Sequence, residues 1–161
     1  MTNPSGALWN WHLHGLVAAT EIRAALVEIL TRPVLPLGPG DLRLPDEPVL
    51  CDVWYTDGDF PTGVDCYLAP TDPAEAAVAA ALATRVGHHL LLPDDTLDPG
   101  RFLLAAPDGT LRPVHVDVEE GEDGPILCRP RPCTMSDLRG ATICRQSRWA
   151  PDSVVPGSAA A

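Results

Sequence analysis

Apolar and polar residues alternate most cleanly along Val49–Ala69. Val49, Cys51, Val53 and Tyr55 alternate with Leu50, Asp52 and Trp54, and further on Val64, Cys66 and Leu68 alternate with Asp65 and Tyr67. A period of two, rich in β-branched and aromatic residues, predicts strands with one buried face. Pro48 and Pro70 bracket the stretch, and turn formers at 56–63 separate its arms, so it predicts a β-hairpin around an acidic loop. Keeping both apolar sets on one face leaves two antiparallel registers. One sets Cys51 opposite Cys66 and Asp52 opposite Asp65; the other sets Asp65 opposite Trp54 and Asp52 opposite Tyr67. Either way Asp52, Trp54, Asp65 and Tyr67 share the second face, with Asp57, Asp59 and Phe60 in the loop beyond.

The remaining elements are arranged around this hairpin. Residues 7–14 alternate Trp9, Trp11 and Leu13 against Asn10, His12 and His14, as a strand or the lead-in to a helix. Ala18, Ile22, Ala25, Leu26 and Ile29 form a helical stripe that Pro33 ends near Thr31. Residues 33–48 read as an extended, proline-rich connection. A second helix is predicted over 73–86, with Asp72 as N-cap, Pro73 in the first helical position, Glu75 completing a capping box and Gly87 closing the end. The hairpin's apolar face is where this helix is expected to pack. His89–Leu92 reads as a buried strand. Phe102–Ala106 and Leu111–Glu119 form another hairpin across Pro107-Asp108-Gly109-Thr110, with Pro113 marking an edge or unpaired start of the second arm. The expected fold is α+β: an antiparallel or mixed sheet of about five strands with two helices mainly on one face. One domain covers 1–120, and an irregular basic tail, packed in part on it, covers 121–161.

Composition sharpens the electrostatic picture. The formal charge is −11, all 11 basic residues are Arg, and 45% of residues are hydrophobic but only 5% aromatic. That charge disfavours a nucleic-acid backbone or an anionic membrane as main partner and suits a protein with a basic surface. The acids concentrate in 41–123, whereas 125–150 carries five arginines against Asp137 alone. Five cysteines without a preceding charged and apolar leader point to free thiols in a reducing cytoplasm.

Candidate chemistry is sparse. His12-x-His14 would place two imidazoles on one side of a strand, with His88, His89 and His115 available to complete a metal site. Cys128, Cys133 and Cys144 lack the close spacing of a structural zinc knuckle. No His adjoins a Cys to make a nucleophile, and Gly-x-Ser-x-Gly and the phosphate-binding glycine loops are absent. Asp57-Gly58-Asp59 lacks the alternating ligands and terminal Glu of a calcium loop. No cofactor is implied. The acidic–aromatic face fits either a half-solvated scaffold or a contact surface. The functional expectation is a non-catalytic interaction module, adaptor or inhibitor, in the general manner of small bacterial inhibitors of toxic enzymes. Its contact residues would be Asp52, Trp54, Asp57, Asp59, Phe60, Asp65 and Tyr67. The competing expectation is a small metal-dependent enzyme using His12 and His14 or the Asp52/Asp65 carboxylates.

Overall fold

The computed structural model describes residues 6–38, 48–94 and 99–133. In chain order these form β1 (Ala7–Leu13), α1 (Ala19–Leu30), β2 (Val34–Pro36), β3 (Val49–Tyr55) and β4 (Thr62–Ala69). There follow α2 (Glu75–Val86), β5 (Leu90–Pro93), β6 (Arg101–Ala105), β7 (Leu111–Gly121) and β8 (Gly124–Pro132). The fold is α+β, and the sheet holds eight strands in the order β2-β3-β4-β1-β5-β6-β7-β8. β2 runs parallel to β3 and every other pairing is antiparallel, so the sheet is mixed.

Five strands was too few, and the two strands that no alternation announced are β2 and β8. β2 lies inside the proline-rich connection and pairs over three residues only. β8 corrects the reading of 121–161 as an irregular tail, because residues 124–132 are a strand paired along β7. Residues 134–161, where the rest of that tail falls, lie outside the described residues. Pro113 also sits between paired neighbours: it is opposite Leu103 of β6, and its carbonyl accepts the Cys133 amide at 3.0 Å.

Both helices end in a left-handed residue. Thr31 (φ 53°) closes α1 before Pro33, and Gly87 (φ 73°) closes α2, its amide donating to the Ala83 carbonyl at 3.0 Å. A positive φ is inexpensive for Gly, so that end matches its sequence signal. The start of α2 does not: Ala74 is the N-cap and no side chain caps it. The Glu75 carboxylate, assigned to a capping box, instead accepts the Trp11 indole N–H at 3.0 Å. It ties helix to sheet.

Two cores lie on opposite faces of the sheet. The first joins the buried faces of both helices to Trp9, Trp11, Leu13, Val49, Cys51, Val64 and Cys66. α2 lies over β5, β1 and β6, with α1 beside it toward β2, so the β3–β4 apolar face shares this core without lying directly under α2. The second core is Phe60, Leu91, Leu104, Val114, Val116 and Leu127, with no helical residue in it. It exists because the sheet curls back on itself. The β3–β4 loop reaches β8, where the Asp59 and Phe60 amides donate to the Leu127 carbonyl at 2.9 and 3.3 Å. Gly58 (φ 96°) permits the approach, since a Cβ there would lie 2.8 Å from that carbonyl oxygen.

Candidate functional site

The candidate site is the face of β1, β3 and β4 turned away from the helices. Alternation sends Trp9, Trp11, Val49, Cys51, Val64 and Cys66 into the first core, which obliges the intervening residues to occupy the other side. The register is the first of the two that the sequence allowed, with Cys51 opposite Cys66 and Asp52 opposite Asp65. β1 then adds Asn10 beside Asp65. Asp52, Asp65 and Asn10 thus form one row across three strands.

Within that row the two carboxylates are unequal. Asp65 accepts a hydrogen bond from the Asn10 amide through Oδ1 and from the Trp54 indole N–H through Oδ2 at 3.1 Å. Asp52 is half-buried, and its carboxylate has no hydrogen bond or ion pair among the described residues. One acid is fixed as part of the framework, and its neighbour remains available to a cation.

The rows on either side differ in cover. On one side come Trp54, Gly63, His12 and Leu91. The Trp54 ring lies across Gly63, meets His12 edge-on with centroids 5.4 Å apart, and is covered by Gly124 of the β7–β8 turn. On the other side Leu50 pairs with Tyr67, and Leu8 lies at the irregularity where β1 shifts register. This end is open: Leu8 is 60% exposed, Leu68 is 41% exposed, and Leu50 and Tyr67 are half-buried.

Four of the seven contact residues expected from sequence, Asp52, Trp54, Asp65 and Tyr67, come together here. The loop residues do not join them. Phe60 is 1% exposed in the second core and presents no surface. Asp59 accepts the Arg129 amide at 2.8 Å through its carboxylate, and Asp57 is exposed at the loop. Sequence reasoning missed Asn10 and Leu8 as neighbours of the carboxylates, because their side chains join the site only once β1 is placed beside β4, and it passed over Leu50 although that residue alternates onto the same face of the hairpin.

The histidines part company. His12 is 3% exposed, burial pushes its pKa down to about 4, and its Nδ1 has no hydrogen-bond partner among the described residues. His14, beyond the end of β1, faces Phe60 at 5.5 Å and His89 at 6.5 Å between ring centroids, and its carbonyl bonds His88 Nδ1 at 2.8 Å. Burial lowers the pKa of His14 against the opposing pull of Asp59, and burial lowers that of His89. His115 lies against Gly100. Among the described residues no three His, Cys, Asp or Glu side chains gather so as to hold a metal ion.

A pocket of about 240 Å³ opens beside the β6–β7 turn, lined by His89, Leu104, Ala106, Pro107, Asp108 and Arg112. It is separate from the acidic–aromatic row. No helix among the described residues is long and apolar enough to cross a membrane. Against protein-family models, curated proteins and solved structures alike, the chain matches nothing.

Proposed function

We propose that the protein is a non-catalytic interaction module that binds a basic protein partner, as an adaptor or inhibitor would. The contact surface is the open end of the second sheet face, where Leu8, Leu50 and Tyr67 border Asp52 and Asp65. The observation that carries this reading is the pairing of an uncommitted, half-buried Asp52 with a partly exposed apolar row on a face that no helix among the described residues covers. An apolar anchor flanked by carboxylates suits a partner segment that offers an apolar side chain beside Arg or Lys. The charge of −11 adds long-range attraction to a basic surface and raises the rate of encounter.

Capture from an extract of the native host at physiological ionic strength tests the reading. The wild-type protein should retain a specific basic protein, Asp52→Arg combined with Leu8→Glu should release it, and Asp57→Lys should retain it. Identical generic proteins on all three baits would overturn the module. Metal analysis of the purified protein addresses the competing enzyme reading that rests on His12 and His14 or on Asp52 and Asp65. A stoichiometric metal removable only by a chelator would replace the interaction reading with that one.

A further inference from the structure

Cys51 and Cys66 are Cα partners across β3 and β4, both 0% exposed on the face opposite the proposed contact surface. Residues directly opposite one another in an antiparallel pair have Cα atoms roughly 4.5 or 5.5 Å apart, according to their place in the ladder. Both spacings lie inside the range a disulfide spans, about 4.4–6.8 Å. The side chains also point the same way, because both belong to the first core. The two thiols lie near enough for each to shift the pKa of the other. In this structure both are free thiols.

We propose that Cys51 and Cys66 are a redox-active dithiol which a water-sized peroxide converts to a disulfide cross-linking β3 to β4 in their native register. The two sulfurs are equivalent in burial and placement, so either one, once deprotonated, is the attacking sulfur, since the thiolate is the nucleophile.

The chemistry balances with peroxide as the sole oxidant. The thiolate of one cysteine attacks one peroxide oxygen, the O–O bond breaks, and the departing hydroxide takes up a proton to become water. The resulting sulfenic acid then receives the sulfur of the other cysteine. The S–S bond forms, the S–O bond breaks, and a second water leaves carrying the proton of that second thiol. Two thiols lose two electrons and one peroxide gains them. Full burial selects for a small oxidant, and the partner sulfur on the adjacent strand intercepts the sulfenic acid before a second peroxide can reach it.

The arrangement has a direct readout. No Arg or Lys lies between Arg43 and Arg85, so trypsin releases both cysteines in one peptide, residues 44–85. The full-length protein is exposed to hydrogen peroxide, unfolded with an alkylating agent present, and digested. The expected product is peptide 44–85 lighter by two hydrogens and unalkylated, restored to two alkylated cysteines by prior reduction. Cys51→Ser and Cys66→Ser should each abolish this product. Both cysteines alkylated in full after peroxide, or a cross-link from either one to another cysteine, would overturn the proposal. Neither outcome bears on partner binding, so the two proposals stand or fall separately.

Discussion

His12 is an ionisable ring enclosed beside the Trp54 edge, with a pKa of about 4 against an ordinary 6.5. Desolvation is the cause, since burial penalises the charged imidazolium. Between those two values the unfolded chain holds a proton on His12 that the folded chain does not. Stability therefore falls as pH drops from 6.5 toward 4, by about 3 kcal/mol for this residue alone. Urea titrations across that interval should show a midpoint that declines with acidification and a shallower decline in His12→Gln. An unchanged slope in the variant would mean that His12 takes up its proton in the folded state as readily as in the unfolded one. Burial also lowers the pKa of His14 and His89, so both add to the wild-type slope with the same sign.

At the scale of elements, the β3–β4 loop does structural work through one of its two aspartates. The Asp59 amide donates to the Leu127 carbonyl and its carboxylate accepts the Arg129 amide, so it joins the loop to β8 at both groups. Asp59→Ala should cost about 1–2 kcal/mol, the range for a charge-assisted bond at a partly solvated site. Asp57→Ala should stay within about 0.5 kcal/mol, because the side chain is exposed. Denaturant midpoints of the two variants decide it, and equal losses would contradict the division. The same loop shows what was legible in the sequence. Alternation gave the β3–β4 and β6–β7 hairpins, down to one of two registers, and the helical stripes with Gly87 gave both helices. β8 was illegible because Pro125, Pro130 and Pro132 read as tail, yet proline is tolerated in an edge strand. Its basic residues are spent internally: Arg129 and Arg131 each reach Asp117 at 2.6 Å, pinning β8 to β7. Glu75 misled for a related reason, since local spacing cannot reveal that a distant Trp11 will claim the carboxylate. Most of the candidate site was visible for the converse reason. Asp52, Trp54, Asp65 and Tyr67 lie within one hairpin, whereas Leu8 and Asn10 arrive by a long-range pairing.

For the whole molecule, the two cores are one cooperative unit only if the sheet between them transmits the loss of either. The second core has six buried residues and no helix, so it depends on the curl that brings β8 to the β3–β4 loop. Phe60 stands at that junction: its amide bonds Leu127 and its side chain is 1% exposed beside Leu127. Phe60→Ala should cost about 3–5 kcal/mol, the usual loss for a buried ring that leaves a cavity. Because β4 and β5 both flank β1, which carries Trp9 and Trp11 into the first core, loosening the second face should unseat the first. Far-ultraviolet circular dichroism follows the helices, which touch only the first core, and near-ultraviolet signals follow the tryptophans of both faces. The expected result in the variant is one transition, coincident by both probes and shifted to lower denaturant. A helix signal that kept the wild-type midpoint while the tryptophan signal collapsed early would show two separable layers. The contact surface, which lies on the second face, would then be able to loosen while the helical layer stayed folded.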